Sequence, residues 1–262
     1  MSNLFLVVTV GPDYRLLHKF LRYYKNLGIN NFLVILNTQD SAPIKVLHEY
    51  GIISVRSWTE PFSEQLKQYH ERRVLIEHCS VNDWVIYADL DEFQVYPRGL
   101  SSHISECEKY GIDFLEGKLI DRISSTGKLL KLDVEIPLED QFPLGGLITS
   151  KLLKAWDKKI VLAKGNLIVG GGHHIFLDGT TNKTLPYKSK LSKYSAGIQI
   201  HHFKWDRDVL SRMNRYLQLQ DKSLLFWREE ISRFLNHYSR YNRIDISDKK
   251  LRVKMVHFLI NI

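Results

Sequence analysis

The pattern of apolar and polar positions changes character near residue 100. Before that point, short apolar runs alternate with stretches of helical spacing. Residues 4–10 read as a strand closed by Gly11-Pro12-Asp13, and residues 14–27 place Leu17, Leu21 and Tyr24 on one helical face ahead of Gly28. A second strand at 32–36 runs into the polar loop Asn37-Thr38-Gln39-Asp40. A short helix through Ile44, Leu47 and Tyr50 ends at Gly51, and a third strand is expected at 52–55. A long polar helix over 62–79 then leads to an apolar strand at 84–88. This alternation predicts an α/β fold with a mostly parallel central sheet flanked by helices.

The second half reads differently. After a helix at 101–110, strands are expected at 114–120, 129–134, 147–153, 160–163, 166–169 and 198–203, punctuated by Gly145-Gly146 and Gly170-Gly171-Gly172. This predicts a mixed sheet rather than further βαβ units. From Asp206 the chain turns helical, with Val209, Met213, Tyr216 and Gln220 on one stripe and a further helix over 223–238. No linker, repeat or low-complexity tract interrupts it. The expected organisation is one α/β domain over 1–205, in two halves at 1–100 and 101–205. A helical C-terminal extension packs on it at 206–262.

Composition narrows the classes. A chain of 262 residues with 44% hydrophobic and 25% charged residues is that of an ordinary globular protein. No apolar run approaches the roughly 20 residues of a membrane span. The opening has neither a basic leader nor a long apolar segment, and Cys79 and Cys107 lack metal or redox spacing. These features predict a cytoplasmic protein. The net charge of +8 (37 Lys and Arg against 29 Asp and Glu) points to a polyanionic partner or to a solvated basic face. No nucleic-acid-binding module is recognisable. The segment 248–262 has Leu251, Met255, Phe258 and Ile262 at helical spacing, with Lys249, Lys250, Arg252 and Lys254 around its start. Such a basic amphipathic helix either packs on its own domain or makes peripheral contact with the inner face of a membrane. The lysine- and serine-rich stretch 186–193 has the composition of a loop that either closes over a ligand or stays on the surface.

The chemistry concentrates at Trp84-Val85-Ile86-Tyr87-Ala88-Asp89-Leu90-Asp91-Glu92-Phe93. An apolar strand ending in Asp-x-Asp brings hard oxygen ligands to the carboxyl edge of a sheet, where open α/β folds bind ligands. Mg²⁺ or Mn²⁺ with substrate phosphates suits that arrangement, and a plain acidic turn is the alternative.

With Val7-Val8-Thr9-Val10, Leu33 to Asn37 and Asp40, Glu60-Pro61-Phe62-Ser63, Lys67-Gln68, Asp121-Arg122, Phe142-Pro143, Gly172-His173-His174 and His201-His202-Phe203, this block resembles the family-2-like glycosyltransferases of the GT-A fold. The likeness covers roughly residues 4–205, and it implies a nucleotide-binding half at 1–100 and an acceptor half at 101–205. It departs at Gly11-Pro12-Asp13, where many relatives carry a Lys-Asn-Glu-like sequence.

The resemblance implies a metal-dependent, inverting transfer of a sugar from a nucleotide-diphosphate sugar to a hydroxyl of a glycan or glycolipid acceptor, as in surface polysaccharide or glycoconjugate synthesis. It implies a Mn²⁺ or Mg²⁺ ion on Asp91, with Asp89 nearer the ribose or reaching the metal through water, and Glu92 orienting both. A histidine ligand is expected at His202, with His174 second; neighbouring histidines on a strand point to opposite faces. The candidate base is Asp121, with Asp140 (and Glu139) behind it. Donor contacts fall to Thr9, Val10, Asn37, Asp40, Lys67 and Arg72, although Glu64 and Glu71 at helical spacing also suit Lys67 and Arg72 to an ordinary solvated helix face. The same carboxylates are compatible with a metal-dependent phosphohydrolase or nucleotidyltransferase, and the basic surface with a non-catalytic polyanion-binding module.

Overall fold

Residues 4–10 are apolar except for Thr9, and they extend as strand β1 (Leu4–Val10). On one side β2 (Asn31–Leu36) pairs with it in parallel, from Phe5 opposite Asn31 to Val10 opposite Leu36. On the other, β4 (Trp84–Tyr87) also runs parallel, with Leu4 opposite Trp84 and Val7 opposite Tyr87. The two-residue strand β3 (Arg56–Ser57) continues the parallel set beyond β2. The ends of β1, β2 and β4 therefore share one edge. The structure, a computed structural model, describes residues 2–177, 193–218 and 225–257. It resolves into two units: Met1–Lys118 with Lys158–Ile200, and Leu119–Asp157 with His201–Ile260.

Within the first unit, helix α1 (Leu17–Asn26) buries Leu17, Phe20, Leu21 and Tyr24, the one-face spacing that its sequence predicts. Helix α2 (Ala42–Glu49) and the longer α3 (Glu64–His78) follow. The start of α3 is fixed by Ser63, whose Oγ accepts from the Leu66 amide at 3.1 Å. After β5 (Glu92–Val95) and α4 (Leu100–Tyr110), the first half of β6 (Phe114–Ile123) pairs antiparallel with β8 (Lys158–Lys164), and β8 with β4. The strand order here is β6-β8-β4-β1-β2-β3. The hairpin of β9 (Ile168–Gly170) and β10 (Ile175–Leu177) joins a core that includes Val7, Ile35, Val74, Val85, Phe114 and Phe176.

In the second unit, Asp121 to Ile123 pair antiparallel with β7 (Leu144–Gly146), and β12 (Lys254–Met255) adds outside β7. A short α5 (Leu138–Gln141) precedes β7. Strand β11 (Lys193–His202) enters this unit at His201 and leads into α6 (Val209–Gln218) and α7 (Leu225–Tyr241), whose core is built on Trp205, Val209, Met213, Ile231 and Phe234 with Ile123 and Ile148. The fold is α/β, parallel in its first half and mixed afterwards, as the patterning predicts.

Four local expectations are overturned. The third strand sits at Arg56–Ser57, not 52–55, because the turn at Gly51 returns the Ile52 amide to Leu47 O and pairing starts only at Val55 with Val34 O. Residues 129–134 form no strand. The Gln141 side chain takes the Asp133 amide and donates to Asp133 O and Ile136 O, supplying bonds a ladder would have made. The apolar run 147–153 winds into a π-helix (Ile148–Leu153) instead of a strand, since the Asp121 carboxylate collects both the amide and hydroxyl of Thr149 in its first turn. The expected terminal helix over 248–262 is a 3-10 turn (Lys249–Leu251) capped by Asp248, then β12; a left-handed Arg252 separates the two. Residues 258–262 of that expectation, 186–192 of the lysine-rich stretch, and Gln220 with 223–224 of the helical tail lie outside the described residues. Among the described residues no helix is long and apolar enough to cross a membrane.

Candidate active site

Extending the antiparallel register of β4 and β8, in which Ile86 faces Leu162, brings Asp89 opposite Lys159. The Lys159 ammonium donates to Asp89 Oδ2 and to Glu92 Oε1, both at 2.6 Å. From α3, Lys67 Nζ donates to Asp89 Oδ1 at 2.5 Å and lies 3.9 Å from Glu71 Oε1. Both lysines are buried, whereas the Asp89 side chain keeps 32% of its surface. The turn between β4 and β5 closes on itself, with the Glu92 amide on Asp89 O at 2.9 Å. Buried lysines are tolerable only with such partners.

Charge coupling dominates the electrostatics. Burial alone would raise the Asp89 pKa, but the Lys159 and Lys67 charges hold it well below the usual carboxylate range. For Lys67, burial opposes the ammonium, yet Asp89 and Glu71 raise its pKa well above the ordinary value. Lys159 is raised likewise, against burial, by Asp89 and Glu92. Glu71 is lowered by Lys67 and His173 despite its burial.

A further layer of groups closes behind α3. Thr9 Oγ1, at the end of β1, donates to Glu71 Oε1 at 3.3 Å, and His173 Nε2 donates to Glu71 Oε2 at 3.3 Å. Gly171, Gly172 and His173 are successive left-handed residues (φ 56, 64 and 67°). Bonds from the Gly172 amide to Glu64 Oε1 at 2.8 Å and from the Ile160 amide to His173 O at 2.7 Å hold that turn. His174 donates through Nδ1 to Lys158 O, and burial together with Lys159 pushes its pKa down to about 4.

The other expected donor residues are placed along the same edge. Val10 is buried, and its carbonyl accepts from the Asn37 amide at 2.8 Å. The Asn37 side chain donates to Glu60 O at 3.0 Å and Trp58 O at 3.4 Å, fixing the chain after β3. Asp40 is exposed, taking the Tyr14 hydroxyl at 2.7 Å and the Ala42 amide at 2.9 Å. Arg72 and Asp91 are half-buried.

In the second unit, Asp121 is 1% exposed. Its Oδ1 accepts from Thr149 Oγ1 (2.7 Å), Trp205 Nε1 (2.9 Å) and His202 Nδ1 (3.1 Å), and its Oδ2 from the Thr149 amide (2.7 Å). Burial would raise its pKa, but the His202 hydrogen bond and these other donors lower it. The neighbouring residue on each strand makes the complementary pair. Arg122 donates to His201 Nδ1 at 2.8 Å and twice to Phe142 O. Burial and then Arg122 push the His201 pKa down to about 3. The two adjacent histidines therefore hold opposite tautomers, His201 accepting and His202 donating at Nδ1. Asp140 is exposed in the first turn of α5 and Glu139 half-buried.

The implied divalent cation does not fit this donor set. Both oxygens of Asp89 and one of Glu92 already hold ammonium groups, so a metal at Asp89 would have to displace a lysine. Among the described residues no three His, Cys, Asp or Glu side chains are grouped to hold a metal ion. Sequence reasoning missed Lys159, Glu71 as an anchor, and His173. The visible signal for Lys159 is the pair Lys158-Lys159 at the head of a strand that is apolar over 160–163.

No protein-family model and no curated protein matches the chain. Among solved structures it is similar to HddC from Yersinia pseudotuberculosis (TM-score 0.40, 9% identity, covering 79% of this chain and 96% of that one). It is also similar to mannosyl-3-phosphoglycerate synthase from Rubrobacter xylanophilus (0.39, 14%, 94% and 78%). Glucosyl-3-phosphoglycerate synthase from Mycobacterium tuberculosis, in complex with phosphoglyceric acid, gives 0.37 and 14% over 66% and 62%. Likeness at this level transfers no residue roles; the α/β assignment stands on the strand order and register above.

Proposed function

We propose that the chain is a glycosyltransferase that takes its sugar from a nucleotide-diphosphate sugar. The observation that carries this reading is Asp89: an ionised, partly exposed carboxylate, locked by two buried ammonium groups at the carboxyl edge of a parallel sheet. Ligands of open α/β folds bind at that edge. A fixed carboxylate there accepts hydrogen bonds from ribose or sugar hydroxyls without reorganising. Thr9, Val10, Asn37 and Asp40 line the ends of β1 and β2, and Lys67 and Arg72 lie on α3, which suits them to donor recognition.

In the proposed reaction an acceptor hydroxyl loses its proton, its oxygen attacks the anomeric carbon with inversion, and the bond to the diphosphate breaks. The acceptor is proposed to be a glycan or glycolipid. For the proton, Asp121 is the better partner of a base than the base itself, because four donors occupy its oxygens. His202, which it orients, takes that role in our reading, with Asp140 second. The divalent ion and Asp91's part in holding it rest on the family resemblance alone.

The test is incubation with a panel of nucleotide-diphosphate sugars and glycan acceptors, following the nucleotide product. Acceptor-stimulated release of nucleoside diphosphate is expected. Sugar 1-phosphate release or pyrophosphate formation would replace this reading with a hydrolase or nucleotidyltransferase. Salt-sensitive polyanion binding without nucleotide binding would leave a binding module.

A further inference from the structure

We propose that Lys159, with Lys67, is the resident cation of the Asp-x-Asp-Glu turn, occupying at Asp89 the place a divalent ion would take. The inference deepens the donor-site reading, and it rests on that reading only where nucleotide binding is concerned.

The geometry is that of a shared cation. One Lys159 ammonium touches Asp89 Oδ2 and Glu92 Oε1 at 2.6 Å each, bridging the first and last carboxylates of the motif from a neighbouring strand. Lys67 takes the remaining oxygen of Asp89 from the opposite element, α3. Three carboxylates, Asp89, Glu92 and Glu71, thus surround two ammonium groups, and all but Asp89 are buried. Removing the charge of Lys159 leaves three carboxylates, two of them buried, against one lysine. Such a site draws in a small cation. A hexacoordinate Mg²⁺ or Mn²⁺ needs oxygens near 2.1 Å, only slightly closer than those already gathered around Lys159 Nζ. Glu92 thereby gains a defined role, anchoring the lysine that positions Asp89.

The experiment is a Mn²⁺ titration of the full chain, wild type and variants, followed by electron paramagnetic resonance and by thermal shift, with EDTA as control. In Lys159→Met, Mn²⁺ affinity is expected to rise about tenfold or more over wild type, with Mn²⁺ restoring melting temperature lost in EDTA. Lys159→Arg, which keeps the bridging charge, is expected to show no such gain. In Asp89→Asn, Mn²⁺ affinity should stay at the wild-type level. A tenfold fall in Asp89→Asn, or no gain in Lys159→Met, would overturn the inference. If Lys159→Met folds only with Mn²⁺ present, that supports it; if Mn²⁺ brings no recovery, it fails. Binding of UDP, GDP or ADP by the wild type is scored separately. Its absence counts against the transferase reading, whereas the Mn²⁺ results still judge the role of Lys159.

Discussion

Asp89 and Asp121 are both carboxylates with every oxygen engaged, yet their partners differ in kind. Asp89 is met by full charges, two ammonium groups from separate elements, and keeps a third of its side chain accessible. Asp121 is met by an amide, a hydroxyl, an indole and an imidazole, and is sealed. Charged partners around an accessible oxygen leave room for a ligand to share the site. Dipolar partners around a sealed oxygen build a scaffold, here the first turn of the π-helix and the orientation of His202. The contrast shows why a perturbed carboxylate is not by itself a catalytic group.

The sharpest way to break the contrast is Asp121→Ala. It strands buried donors from three elements and should cost about 3–5 kcal/mol or prevent folding altogether; a wild-type urea midpoint would refute the scaffold role. Lys159→Met comes next, with a loss of about 3 kcal/mol by urea unfolding, because Glu92 and Asp89 lose a shared partner. Lys159→Arg should recover most of it. Thr149→Val removes the hydroxyl bond to Asp121 but leaves the amide bond, and about 1.5 kcal/mol is expected.

The mildest probe is pH. The His201 and His174 values, about 3 and about 4, lie below the ordinary histidine value near 6.5, so the unfolded chain binds more protons than the fold between those limits. Their contribution is complete above pH 6.5 and declines as pH falls towards 4 and then 3. Asp89 and Asp121 have lowered values, so their contributions are complete well above the ordinary carboxylate value near 3.8 and are lost only as the pH falls through it. Melting temperature should therefore drop between pH 7 and 4.5, and less steeply in His201→Gln, which still accepts from Arg122. An unchanged slope would remove His201 from the account.

Much of the first half was legible because its signals are local. The run at residues 4–10 and the face of Leu17, Leu21 and Tyr24 each lie within a few residues. The opposite facing of His201 and His202 was also readable from strand periodicity. What escaped depends on partners far along the chain. Lys67 looked like a solvated helix residue beside Glu64 and Glu71, and only the approach of Asp89, 22 positions later, buries it. Lys159 meets Asp89 across 70 positions, through a register that no local pattern encodes. The π-helix at Ile148–Leu153 was misread for the same reason: its apolar composition suits a strand, and the deciding carboxylate is Asp121.

The left-handed turn at Gly171-Gly172-His173 carries a consequence for substitution. A side chain at φ 67° is costly for any residue with a β-carbon, and His173 is held there by the Glu71 bond that its ring makes. Take the ring away and only the backbone bonds of the turn, from the Gly172 amide to Glu64 and from the Ile160 amide to His173 O, are left to offset the strain. At this position glycine should be better tolerated than alanine, and asparagine better than phenylalanine, reversing the order found in an ordinary buried site. A saturation scan of position 173 would read the turn's demand for backbone freedom as a preference that hydropathy cannot rank.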